Sequence, residues 1–182
     1  MAGYYSGGLH RRSIRLRDHD YAAGVYFVTI CAAKNMCLFG EVVGGRVRLN
    51  EVGRAVAEEW VWTGFVREYV VLDAFVVMPN HVHGIVTLWF DKDTDTIRDL
   101  GESTTHHRKF GGLEARTLAG VVGAFKAAAT RYVNRMYGTP GESLWHRNYY
   151  EHIIRNEDDL ERIREYIRNN PLNWDKDEHN LV

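Results

Sequence analysis

The chain has 182 residues, 45% of them hydrophobic and 12% aromatic, the size and apolar content of one domain with a substantial core. Its formal net charge of −1 is less basic than a general nucleic-acid coat requires, so any such contact has to come from local patches. No run approaches the roughly 18 uninterrupted apolar residues of a membrane span. The N-terminus lacks the apolar core of a signal peptide, and Cys31 and Cys37 lack CxxC spacing, so a reducing, cytoplasmic setting is expected.

In chain order, a basic arm over about 1–20 carries Arg11, Arg12, Arg15 and Arg17. GVYFVTICAA (24–33) is rich in β-branched and aromatic residues and reads as a strand. LFGEVVGGRVRL (38–49), with Gly-Gly at its middle, predicts a hairpin. Asn50 then caps a helix over about 51–62, whose apolar stripe is Val52, Ala55, Val56 and Trp60. YVVLDAFVVM (69–78) and HVHGIVTLWF (81–90) read as antiparallel partners joined at Pro79-Asn80, where proline presets φ and asparagine tolerates an unusual one. The polar stretch 91–112 reads as a variable, mobile loop, with a basic group at His106, His107, Arg108 and Lys109. A long helix over about 115–137 follows, with Leu118, Val121, Val122, Phe125, Ala129, Tyr132, Val133 and Met136 on one stripe. LWHRNYYEHIIR (144–155) is ambiguous between loop, strand and short helix. Asn156 caps the last helix, Asp159 sits three residues on, Leu160, Ile163 and Ile167 form its stripe, and Pro171 stops it. The acidic runs at Asp91, Asp93 and Asp95 and at Asp175, Asp177 and Glu178 read as solvated surface. This order predicts a single α+β domain over 1–182, an antiparallel sheet with helices packed on it.

Alternation on a strand puts His81 and His83 on one face with Ile85, and turns Val82, Val86 and Leu88 the other way into a core. Two imidazoles on a rigid strand can converge on one ion, although the pair taken alone better fits exposed or hydrogen-bonded histidines at a hairpin mouth. YIRNNP (166–171) adds a third donor, because Tyr166 and Asn170 stand one above the other at i and i+4. Two imidazoles and an amide oxygen suit Mg²⁺ or Mn²⁺ with positions left open for a phosphate. The tyrosine would then face that phosphate. A packing residue and a C-terminal cap are the ordinary alternatives for Tyr166 and Asn170.

VVMPNHVHGIV (76–86) resembles the His-hydrophobic-His motif of the HUH single-strand DNA transposases. RRSIRLRDHDYAAGVYFVTIC (11–31), AFKAAATRYVN (124–134) and LWHRNYYEHIIRNEDDLERIREYIRNNPLNW (144–174) extend the likeness, over about residues 11–174, to the REP-associated tyrosine transposases. The resemblance implies a ferredoxin-like antiparallel sheet with the histidines on a central strand and one catalytic tyrosine on a C-terminal helix. By position, His81 and His83 match the metal-binding histidines, Asn170 the third ligand and Tyr166 the nucleophile. The implied activity is cleavage and rejoining of single-stranded or hairpin DNA through a 5′-phosphotyrosine, by a monomer or a homodimer, with Mg²⁺ or Mn²⁺.

Expected DNA contacts are Arg11, Arg12 and Arg15 in the arm, Lys126 and Arg131 on the long helix, and Arg147 and Asn148 before the last helix, with Trp145 as a stacking residue. Tyr149 and Tyr150 rank below Tyr166 as nucleophiles, since neither has an oxygen ligand at i+4. His152 could approach the metal, but a structural hydrogen bond is the role expected of it. Two other functions share these features: a hairpin-DNA-binding protein that does not cut, and a metal-dependent phosphodiesterase that uses water.

Overall fold

The computed structural model describes residues 23–89 and 116–180. The N-terminal arm and the 91–112 segment, with their predicted contacts, lie outside the described residues. Among the described residues six strands and three α-helices follow in order: β1 (Gly24–Cys31), β2 (Gly40–Val43), β3 (Arg46–Leu49), α1 (Glu51–Phe65), β4 (Val70–Val77), β5 (His81–Leu88), α2 (Leu118–Tyr137), β6 (Tyr150–Ile154) and α3 (Glu157–Asn169). Setting the β2–β3 hairpin aside, the order is βαββαβ, and the main sheet runs β4-β5-β1-β6 with every neighbouring pair antiparallel. That is the ferredoxin-like arrangement, with β5 and β1 in the centre.

Local chemistry explains most of the boundaries. Gly44 and Gly45 hold φ of 57° and 71°, the pair of positive values that a two-residue hairpin of type I′ demands. The Asn50 side chain accepts from Gly53 N at 2.9 Å and opens α1. Helix α1 runs to Phe65, three residues past the expected end, because no proline interrupts it and its buried stripe continues through Thr63. Thr117 caps α2, and Gly138, at φ 65°, closes it in the left-handed conformation. Asn156 accepts from Asp159 N at 2.8 Å and opens α3. Pro171 ends the α-helix as expected, but the chain continues as a 3₁₀ turn over Asn170–Lys176. A 3₁₀ turn tolerates a proline in its first positions, where no N–H is needed.

The sheet separates two apolar layers. On one side Tyr26, Val28, Val82, Val86 and Leu88 pack with Val56 and Trp60 of α1 and with Val121, Val122 and Phe125 of α2. On the other side Phe27, Ile85 and Ile154 pack with Ile163 and Ile167 of α3. Helix α3 is mostly charged elsewhere, so these two isoleucines, worth roughly 1.5–3 kcal/mol each when buried, and the partly buried Leu160 seat it on the sheet. The α2 stripe is narrower than expected, since Tyr132 and Met136 are exposed. Trp145 also departs from expectation. It is 5% exposed, its ring lies 5.2 Å from Phe39 and 5.4 Å from Phe125, and Nε1 donates to Lys126 O. In this arrangement it is a core residue whose face is not open to a base.

Candidate metal and nucleophile site

His81 and His83 lie on the α3 side of β5, and both are buried. The turn before them is locked from two directions, as Ala32 N donates to Asn80 O and Phe39 N to Pro79 O. Asn80 does not use a positive φ. Its side chain, 2% exposed, is a bracket. Nδ2 donates to Asn35 O at 3.2 Å and His179 O at 2.7 Å. Its oxygen therefore faces His81 Nδ1 at 2.8 Å, which places the proton on Nδ1 and leaves Nε2 with a lone pair. Thr29 Oγ1, across on β1, meets His83 Nδ1 at 2.9 Å and orients that ring in the same sense when Nδ1–H donates to the hydroxyl.

The two Nε2 atoms then face each other at 3.0 Å. Two lone pairs at that separation repel unless something positive lies between or beside them. Two ligand atoms ~2.1 Å from one ion at right angles are themselves ~3.0 Å apart, so the spacing fits a shared cation. Burial is the main reason that both rings stay neutral, His81 being driven down to about 3 and His83 well below the usual range. Neutral rings are the form that binds metal.

Helix α3 brings the remaining groups. Tyr166 Oη lies 3.3 Å from His83 Nε2. The Phe27 ring meets the Tyr166 ring edge-on at 5.9 Å and 87°. Burial, then the negative charges of Asp177 and Glu178, push the phenol up to about 12, while the Asn170 side chain acts in the opposite sense. Asn170 is buried, and its Oδ1 has no hydrogen-bond partner. Its Nδ2 donates to Asp177 Oδ2 at 3.0 Å. Asp177 stands with His81 and His83 in a cluster whose ligand atoms lie within 4.8 Å of one another. An orphaned amide oxygen beside a carboxylate and two imidazoles is a donor set that fits a divalent cation.

Two members of this site were missed in the sequence. Asp177 belongs to an acidic run read as solvated surface, yet its carboxylate faces the histidines. His179 packs its ring 4.7 Å from His81 and accepts from Asn80 through its carbonyl. The signal was an Asp and a His within ten residues of Asn170, which strand and helix periodicity does not register.

Other predicted residues scatter. Lys126 and Arg131 belong to α2, on the opposite side of the sheet. Lys126 Nζ gives two of its three donors to His146 O at 2.7 Å and Arg147 O at 3.0 Å, so it orders the loop before β6. Arg131 lines a groove between α1 and α2 with Trp62 and Arg67. Arg147 and Asn148 are exposed beside β6. His152 Nε2 meets Asp159 Oδ2 at 2.9 Å, the structural hydrogen bond expected of it. Arg164 of α3 forks onto Asp73 of β4, with contacts of 3.2, 3.2 and 2.6 Å. The register of β4 on β5 shifts between Leu72 and Phe75, around that aspartate.

This four-stranded antiparallel sheet, with the histidine pair on a central strand and helices on both sides, is a transposase-like fold. The structure of a REP-associated tyrosine transposase bound to a REP hairpin superposes with a TM-score of 0.52 at 18% identity, over 90% of this chain and 74% of that one. No protein-family model matches the chain. The chain belongs to the same family as a Haemophilus influenzae protein described as uncharacterized, with 37% identity over 180 residues and 98% of each chain covered. Among the described residues no helix is long and apolar enough to cross a membrane.

Proposed function

We propose that this chain is a single-domain transposase that cuts and rejoins single-stranded or hairpin DNA through Tyr166. The observation that carries the reading is the 3.3 Å approach of the Tyr166 hydroxyl to His83 Nε2, from a residue 83 positions away. His81 and His83, with oxygen from Asn170 and Asp177, would hold a divalent cation such as Mg²⁺ or Mn²⁺. When bound, that ion would polarise the scissile phosphate and offset the charge developing on it.

The chain's own residues account for the positioning. Thr29 and Asn80 set the two imidazoles. Phe27 abuts the edge of the tyrosine ring, and Asp73 anchors α3 through Arg164. Tyr166 Oη forms a bond to phosphorus while the bond from phosphorus to the 3′ oxygen breaks. The phenol gives up a proton and the departing 3′ oxygen takes one, leaving a 5′-phosphotyrosine and a free 3′-hydroxyl. A phenolate leaves readily, so a 3′-hydroxyl can reverse the step without ATP. The approach of Tyr166 to His83 of the same chain supports a site built within one copy.

Hairpin DNA is the favoured substrate because the structural neighbour was solved with a REP hairpin. Arg147 and Asn148, exposed beside β6, are proposed to follow the strand, together with Arg11, Arg12 and Arg15. Incubation with Mn²⁺ and 3′-labelled hairpin DNA should give a covalent adduct that disappears in Tyr166→Phe. Binding without adduct or cleavage would instead identify a hairpin-binding protein. Cleavage without adduct, unchanged in Tyr166→Phe, would identify a hydrolase that uses water. An adduct that survives in Tyr166→Phe would move the nucleophile to another tyrosine.

A further inference from the structure

The tyrosine pair before α3 divides between the two sides of the sheet. Tyr149 packs against the core beneath α1 and α2. Tyr150 opens β6 directly across from Thr29, and Thr29 lies directly across from His83. Opposed residues of an antiparallel ladder share a face, and the hydrogen bond between Thr29 and His83 identifies that face as the histidine face. Tyr150 therefore stands in the same cross-strand row as His83, two strands over, or ~10 Å at ordinary strand spacing.

Tyr150 is 50% exposed, whereas Phe27 of the neighbouring strand is 8% exposed. Helix α3 is tied to the β4 edge by the Arg164–Asp73 fork and to β6 by the His152–Asp159 contact, and Tyr150, two residues before His152, stays accessible at the start of β6. The three residues leading into it, His146, Arg147 and Asn148, are exposed as well. An accessible aromatic face, in line with the reacting centre and beside a cation, has the parts of a nucleotide platform.

We infer that Tyr150 is the surface on which a base flanking the scissile phosphate stacks. The inference rests on the proposed DNA-cleaving function and adds the residue that grips the neighbouring nucleotide. Tyr150 touches a base in this arrangement and takes no part in bond making, since strand β1 lies between it and His83. Stacking uses the π face that every base presents, so the subsite is tolerant of sequence.

The test is fluorescence anisotropy with a labelled hairpin carrying single-stranded flanks, in Mn²⁺, on a Tyr166→Phe background that leaves the strand intact. Adding Tyr150→Ala should weaken binding by roughly 5- to 100-fold, while Tyr150→Phe and Tyr150→Trp should hold it within about twofold. Abasic sites walked along the flanks should find one position whose loss matches that of Tyr150→Ala and does not add to it. Unchanged affinity in Tyr150→Ala overturns the inference. So does an equal loss in Tyr150→Phe, or full additivity at every abasic position. The abasic series is also run with the tyrosine intact, so a folding defect in one variant does not decide the outcome. Tight binding by the unaltered protein with no adduct would sink the cleavage function alone, and the same anisotropy series would still judge the subsite.

Discussion

Gly84, in the middle of HVHGIV, offers the sharpest test of how the sheet positions the site. Its neighbours are His83 and Ile85, whose side chains point to the α3 side, so a side chain at 84 would point into the α1/α2 core. A Cβ there would lie 2.3 Å from Trp60 Cζ2 and 3.0 Å from Cε2 and Cη2. Trp60 has little room to give way, being 1% exposed and packed edge-on against Phe125 at 5.1 Å and 88°. Gly84→Ala is ordinarily a favourable change in an extended segment, because it lowers the entropy of the unfolded chain by up to about 1 kcal/mol. Here overpacking, which costs about 1–3 kcal/mol, outweighs that gain at so close an approach, and a net loss of about 1–2 kcal/mol is expected. At roughly 2–4 °C per kcal/mol for a chain of this size, Tm should fall by about 2–8 °C. Trp60→Leu costs stability on its own, but combined with Gly84→Ala the loss should be smaller than the sum, since the new methyl occupies space the indole vacates. The assay is thermal melting of the three variants, with Mn²⁺ affinity measured alongside. An unchanged or raised Tm for Gly84→Ala, or strict additivity with Trp60→Leu, would refute the packing argument.

The brackets on the two imidazoles give a second expectation. Thr29→Val and Asn80→Ala should each weaken Mn²⁺ binding by roughly 10- to 100-fold, read by calorimetry; affinity equal to the parent protein's would show that the rings orient themselves. Asp73→Ala removes the carboxylate onto which Arg164 forks, the two side chains being 30% and 29% exposed. It should cost about 1 kcal/mol in urea unfolding and slow adduct formation more than it weakens DNA binding. An equal effect on both would argue against a positioning role for the pair. Acid lability follows from the buried histidines. Their folded forms resist protonation, whereas the unfolded chain takes up protons on both below about pH 6.5. Stability is therefore full above that pH and falls as the pH drops toward about 3, where His81 protonates in place. The slope is at most about 1.4 kcal/mol per pH unit per ring. Urea midpoints in EDTA that are equal at about pH 7 and about pH 5 would contradict this.

Much of this molecule follows from local rules. Period-two alternation places His81 and His83 on one side and Val82, Val86 and Leu88 on the other, because adjacent side chains of a strand have to point oppositely. Asn50, Asn156 and the Gly-Gly pair set element ends through hydrogen bonds and backbone angles that act within a few residues. The spacing of Tyr166 and Asn170 puts them on one stripe of α3 before any fold is known. Such signals span one strand pairing or one helical turn, so the sequence carries them directly. What only the tertiary structure decided depends on contacts between distant segments. Trp145 reads equally well as a base platform or a core residue until Phe39 and Phe125 close around it. Asn80 looks like a turn residue until its amide is seen bridging residue 35, residue 179 and His81. Asp177 looks solvated until the 3₁₀ turn after α3 folds it toward the histidines. Tyr150 gains its place in the His83 row only through pairing of β6 with β1. In each case the residue type is compatible with several environments, and burial and cross-strand register choose among them.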